Sequence, residues 1–470
     1  MRVSFMNTLL ALALAGCLST AKHPNALLPV PEHAVIGVTD AHLTANYWIE
    51  KAARPERLTL DRAQIAHHNA KLASTDASVH DLRNFPATLT GAAVRGWIEK
   101  LSSRPSGTLY DERGEPVRPA TFDDLLNALN LDAIPASQAT RYGMVVKRAD
   151  LRTFPTRLRV FRARGDTDID RFQESALFPG APLVILHASR DGQWLYVVND
   201  FYAAWIESTA VAAGTRDVVL GYGAKSPYLV VTGATVKTVF TPAAPAVSEL
   251  QLDMGVRVPV LADWPPNEPV NGQHPYAAHV IELPVREVDG SLSFAPALLP
   301  KTADAANDYL PLNDANVVRQ AFKFLGERYG WGHSHNARDC SGFVSEVYRS
   351  FDVRMPRNTR DQAVSPAFNR IELTSADSHQ QRLEVLRTLR IGDLVYIPRH
   401  VMMVVGHERG MPYVIHDTTG ITYRHQGKRV RVPLNGVSVT PLAPLLLAED
   451  WSKADWPMID SIYSIVQIRQ

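Results

Sequence analysis

Three residues of this chain have the types and spacing for nucleophilic chemistry: Cys340, His400 and His416. Cys340 stands between Asp339 and Ser341-Gly342, ahead of Phe343, Val344, Val347, Tyr348 and Phe351, a pattern that predicts a helix over residues 341–351. A thiol at the head of a helix faces unsatisfied N–H groups and the positive end of the dipole, and both favour a thiolate. Such a nucleophile needs a base, and the base needs a group to orient it. His400 opens a predicted strand over residues 401–405, and His416 closes the next one over 413–415. Adjacent antiparallel strands can bring the two imidazoles side by side, facing the helix. Taken alone, Cys340 reads as an inert buried thiol, and it is the context that lifts it out of that class. His333-x-His335 could ligate a metal together with His400 or His416. No acidic partner stands at a matching spacing, so a solvated loop is expected there. His407 and His425 are expected to face solvent, and His67-His68 carries no ligand pattern.

The surrounding motifs narrow the chemistry. Tyr329-Gly330-Trp331-Gly332, Asp339-Cys340-Ser341-Gly342-Phe343-Val344 and Pro356-Arg357-Asn358-Thr359-Arg360-Asp361-Gln362 follow one another. Gly392-Asp393-Leu394-Val395-Tyr396, His400-Val401 through Gly406, and Ile415-His416 come next in order. This series resembles the NlpC-type cell-wall peptidase family. The resemblance implies a papain-like domain with Cys340 as nucleophile, His400 as general base and His416 as the third polar residue. It places Tyr329 on the oxyanion side, and Asp339, Ser341 and Thr359 at the free amino end of the substrate in the dipeptidyl branch. The implied reaction is hydrolysis of the γ-D-glutamyl–diaminopimelate bond of peptidoglycan stem peptides, favouring a free N-terminal L-Ala, with no metal and no cofactor. His333 stands where the family often has a second glycine, and Met402-Met403 where glycine and isoleucine are common.

The elements that must position these residues are readable in outline. Residues 18–135 read as a mostly helical N-terminal domain, with Thr121 as the N-cap of one helix. Residues 136–215 carry five short strands and an Asp191-Gly192 hairpin signal, the mark of a small barrel with Trp194 and Trp205 in its core. A second strand-rich stretch, 216–305, holds a hairpin at Asp289-Gly290. Residues 302–307 read as a linker into a last domain, 306–470, where a helix capped by Asn313 or Asp314 precedes the cysteine helix and an antiparallel sheet. The fold class is α+β: a papain-like domain preceded by two small β-barrels and a mostly helical domain. The same order resembles the family branch with a stabilising domain and two bacterial SH3-like barrels. Asp150 and Tyr202, on the first barrel, are candidates for a lid that restricts the cleft to short peptides.

Composition sets the remaining bounds. The chain has 470 residues, 49 Lys+Arg against 48 Asp+Glu and a net charge of +1, so no global field points to nucleic acid or to an anionic surface. Only two cysteines occur, which excludes a disulfide-stapled scaffold and a cysteine-rich zinc module. The other one, Cys17, ends Leu14-Ala15-Gly16-Cys17 after a short apolar run, a secretory signal over residues 1–17. That ending resembles the bacterial lipoprotein processing box. It implies lipidation of Cys17, a membrane held by the lipid anchor, and, with Leu18 next, a periplasmic place on the outer membrane. The expected partners are peptidoglycan stem peptides or muropeptides, met by a monomer. A catalytically inactive peptidoglycan-binding lipoprotein and a metal-dependent hydrolase are the competing readings.

Overall fold

In the computed structural model, residues 35–448 and 455–469 are described. Cys17 and the apolar run before it lie outside them. Among the described residues no helix is long and apolar enough to cross a membrane.

The first 3-10 turn and helix, Asp40–Leu43 and Ala45–Lys51, clasp the last domain. Trp48 is fully buried and lies so close to Gly406 that a Cβ there would stand 2.7 Å from its ring. Glu408 gathers the rest of the clasp, receiving hydrogen bonds from Tyr47 (2.6 Å) and Lys51 (3.0 Å) and meeting His42 at 2.7 Å. The N-terminal helix Pro119–Ala128 begins before Thr121, which lies inside it rather than capping it. Pro119 explains the shift, because its fixed φ and missing N–H suit a first helical position.

The first barrel is a seven-stranded antiparallel sheet in the order Val211–Gly214, Arg141–Val145, Pro182–Ala188, Trp194–Val198, Ala203–Glu207, Ala149–Arg152, Gln173–Leu177. Trp194 and Trp205 are buried in its core beside Phe154, Phe172 and Tyr196. The second strand-rich unit is built on the long hairpin of Ala278–Arg286 and Leu292–Pro300, with Asp289-Gly290 at its turn. Residues 302–307 are not a free linker. Ala305 and Ala306 pair with Val231 and Val230 and close that unit.

The last domain layers helices on a six-stranded antiparallel sheet, ordered Asn369–Glu372, Ser464–Gln467, Leu394–Ile397, His400–Glu408, Met411–Thr418, Gly436–Pro441. Asn313 caps its first helix, Asp314–Phe322, by accepting from the Asn316 N–H. Helix Cys340–Arg349 buries Phe343, Val344 and Val347 against Val401, Met403, Val405 and Ile415 on one sheet face. Met402, Val404 and Val414 point the other way, into a second core with Leu386, Ile421 and Tyr423. Arg338, 0% exposed, locks the domains together. It donates to Asp253 of the second unit (2.7 Å), to Glu346 of the cysteine helix (3.0 Å) and to Glu327 (3.1 Å). Three carboxylates around one buried guanidinium leave it paired, so breaking any one leg strands a buried charge.

Candidate active site

Cys340 is the first residue of its helix, 5% exposed, at the floor of a cleft of about 650 Å³. Asp339 is the N-cap, its Oδ1 accepting from the Gly342 N–H at 2.8 Å. Arg357 clamps that carboxylate through both guanidinium ends (2.8 and 3.2 Å), and also donates to Ser341 Oγ (2.9 Å) and to Ser175 Oγ of the first barrel (2.7 Å). Burial alone would raise the Asp339 carboxyl, but the Arg357 charge and hydrogen bonds hold it at about 2. Asp339 is therefore an anion already paired within the protein.

His400 and His416 are brought together. Met403 pairs with Ile415 across the strands, which sets residues 400 and 416 diagonally on the same face. His400 Nε2 lies 2.8 Å from His416 Nδ1, and His416 Nε2 lies 3.1 Å from Thr440 Oγ1. The next strand continues the diagonal, because Val414 pairs with Thr440. This face carries Met402 and Val414 and so turns away from the body of the helix. The thiol lies at the strand end, where it accepts from the Val401 N–H, and Cys340 and His400 line the same cleft. The relay fixes the tautomers. For His400 Nδ1 to accept a proton from the thiol, its Nε2–H must donate to His416 Nδ1, and His416 Nε2–H must then donate to Thr440 Oγ1.

The electrostatics describe a neutral resting pair. Burial, then the Asp339 charge, pushes the Cys340 thiol well up. Burial lowers His400 to about 4, and burial with the neighbouring His400 lowers His416 further. The thiolate–imidazolium pair suggested by the helix dipole is thus not the state of the empty cleft, since desolvation outweighs the dipole. Asp417 is fully buried with both oxygens unpartnered, and burial drives its carboxyl far up, so it is a neutral acid behind the thiol.

Tyr329 is buried at the cleft wall with its hydroxyl raised by burial, hence a proton donor at neutral pH. Ser341 and Thr359 also line the cleft. Tyr202 reaches it from the first barrel and donates to Glu174, a half-buried carboxylate that Thr153 also meets. Burial raises Glu174 above its usual range. Asp150 does not reach this cleft. It accepts from Gln173 (3.0 Å), whose amide also donates to Gly332 O (2.8 Å) and so ties barrel to loop.

His333 is the main correction. It is buried, with Nε2 3.0 Å from Glu346 and Nδ1 receiving a bond from Arg357 at 3.0 Å. The acidic partner sits thirteen residues on, across a loop and the first turns of a helix, a separation that no local spacing reveals. Burial, then Arg357, lowers this imidazole to about 4, so it is a neutral wedge whose two ring nitrogens are taken up by Glu346 and Arg357. His333 adopts φ +64°, the region glycine occupies most easily. It fits only because Gly342 is bare: a Cβ there would stand 2.5 Å from His333 Cε1. His335 and His425 are exposed, whereas His407 is half-buried, its Nε2 3.2 Å from the Leu386 carbonyl. Among the described residues no group of three or more His, Cys, Asp or Glu could hold a metal ion.

Residues 326–430, which include Tyr329, Cys340, His400 and His416, match the model of the NlpC/P60 family. The chain carries an NlpC/P60 domain. Its first barrel, over residues 159–207, matches an SH3 domain of the SH3b1 type. NlpC/P60 domains are cysteine hydrolases of the cell wall, and this one sits in an α+β fold beside an SH3-like unit. The fold extends to a solved NlpC/P60 endopeptidase from Photobacterium damselae subsp. piscicida, at 15% identity and a TM-score of 0.70, covering 90% of this chain and 96% of that one. An NlpC/P60 family protein from Bacillus cereus ATCC 10987 is 17% identical at a TM-score of 0.47, covering 70% of this chain and 100% of that one. No curated protein sequence matches the chain.

Proposed function

We propose that this protein is a cysteine endopeptidase that hydrolyses the γ-D-glutamyl–diaminopimelate bond of peptidoglycan stem peptides with a free N-terminal L-Ala. The observation that carries the reading is the relay of His400, His416 and Thr440 at the end of the cleft that holds Cys340. As the substrate carbonyl docks, the thiol proton passes to His400 Nδ1 while Sγ bonds to the carbonyl carbon. The oxyanion forms beside the N–H groups of the helix start and the Tyr329 hydroxyl. Collapse breaks the C–N bond, and His400 hands its proton to the leaving amine. Water, deprotonated by His400, then clears the thioester and restores the thiol.

A carboxylate that the first barrel brings to the cleft supports the preference for a free amine. Asp339 is engaged by Arg357, so Glu174, held by Tyr202 and Thr153, is the carboxylate left to meet an ammonium. A longer chain or a glycan on L-Ala would run into the barrel. A lipid on Cys17 would tether the enzyme at the periplasmic side of the outer membrane.

Mass spectrometry of two digests side by side tests this reading. Free L-Ala-γ-D-Glu-diaminopimelate should yield L-Ala-γ-D-Glu, and intact murein should yield no cut at this bond. Cleavage of intact murein at the rate of the free peptide would overturn the preference, and a pull-down on murein with no product from either substrate would favour a binding lipoprotein.

A further inference from the structure

The cleft has a second charged region, opposite in sign to Glu174. Arg162, Arg171, Arg399 and Arg431 all line it, and among the described residues no carboxylate other than Glu174 and the engaged Asp339 does. None of the four guanidinium groups makes an ion pair or hydrogen bond with another described residue. Arg171 is held by its place over the Trp331 ring, 5.5 Å from the centroid, with a buried Nε that has no partner. Arg162 and Arg399 both act on it electrostatically, as does Asp166 in the opposite sense. Asp168, the other nearby carboxylate, is taken up by Arg328 (2.7 Å) and Asn435 (2.9 Å).

Like charges gathered without counter-ions repel one another and cost stability unless something else requires them. Guanidinium is also the side chain best shaped to grip carboxylates in two-point fashion. Arg399 directly precedes His400, the group that must protonate the leaving amine, so this end of the cleft receives the leaving segment.

We propose that these arginines bind the carboxylates of the stem peptide and thereby select its third residue. The inference rests on the peptidase reading above. A γ-linked D-glutamate keeps its α-carboxylate free, and diaminopimelate carries a side-chain carboxylate beside its side-chain amine. That pair is neutral overall. Lysine at the same position presents an ammonium alone, and four guanidinium groups repel it. The arginines therefore favour diaminopimelate over lysine, and free D-glutamate over its α-amide.

The test compares kcat/KM for L-Ala-γ-D-Glu-diaminopimelate and L-Ala-γ-D-Glu-L-Lys, in the wild type and in Arg171→Gln, Arg399→Gln and Arg431→Gln. The wild type should prefer the diaminopimelate peptide by about tenfold or more, the scale of one charge-assisted contact. Each variant should compress that ratio, with a steeper salt dependence in the wild type than in the variants. Equal kcat/KM for both peptides in the wild type, or variants that lower both equally, would overturn the proposal. Calorimetry of the same two peptides on Cys340→Ala separates this from the chemistry. If neither peptide is cleaved yet the diaminopimelate peptide binds more tightly through the arginines, the peptidase reading fails and the recognition site stands. Equal binding of both peptides sinks the site whatever the turnover.

Discussion

Thr440→Val removes one oxygen from the end of the relay and should disable a base two residues removed from it in the hydrogen-bond chain. Thr440 is 0% exposed and valine has nearly its shape, so the change is chiefly polar. Its Oγ1 lies 3.1 Å from His416 Nε2. Without it, the His416 Nε2–H either stays unpaired in the core or moves to Nδ1. In the second case it opposes the His400 Nε2–H at 2.8 Å, and His400 must shift its own proton to Nδ1, the nitrogen that should accept from Cys340. Leaving a buried donor unpaired costs about 1–3 kcal/mol, which converts to roughly five- to 150-fold in kcat/KM if the active tautomer bears it. Steady-state kinetics on the free tripeptide, with denaturant unfolding alongside, measures both quantities. Thr440→Ser, which keeps the oxygen, should recover most of the rate. The reasoning fails if valine leaves kcat/KM within twofold of wild type, or if serine is no better than valine at equal stability.

Other consequences follow from the same geometry. His400 must be neutral to accept a proton, and burial lowers it to about 4, so kcat/KM should hold across the range from roughly pH 5 to pH 8 and fall only as pH drops through about 4; an acid limb centred near 6.5 would contradict this. Glu174→Gln should raise KM for the free tripeptide by about tenfold, the worth of a charge-assisted contact, and leave an N-acetylated peptide unaffected, as read by initial rates. Gly342→Ala would ordinarily stabilise a helix by about 1 kcal/mol. Here the new Cβ meets His333 at 2.5 Å and should lower the melting temperature in calorimetry, by displacing the imidazole from Glu346 and Arg357.

The two histidines are legible because His400 opens and His416 closes a run with strand periodicity, and the register then dictates a shared face. Thr440 was invisible by the same logic. It lies on a third strand, in a residue type common in sheets, and only the pairing of Val414 with Thr440 reveals it. Glu174 belongs to a strand of the first barrel whose alternation predicts packing, so its arrival in the cleft depends on how barrel and last domain dock. That docking runs through Arg148 and Gln173, polar contacts that no periodicity announces. His333 was misplaced for a related reason: its φ of +64° and the bare Gly342 make room for it, and neither backbone feature is written in hydropathy. Cys340 was legible as a residue but not in its protonation state, since the dipole argues for a thiolate and burial beside Asp339 argues against one.

The most direct test of the account is mass spectrometry of free L-Ala-γ-D-Glu-diaminopimelate incubated with the wild type and with Cys340→Ala. The account predicts L-Ala-γ-D-Glu and diaminopimelate from the wild type, a thioester trapped on Cys340 at short times, and neither from the variant. Cleavage by Cys340→Ala at the wild-type rate, or scission at any bond other than the γ-glutamyl one, would contradict it.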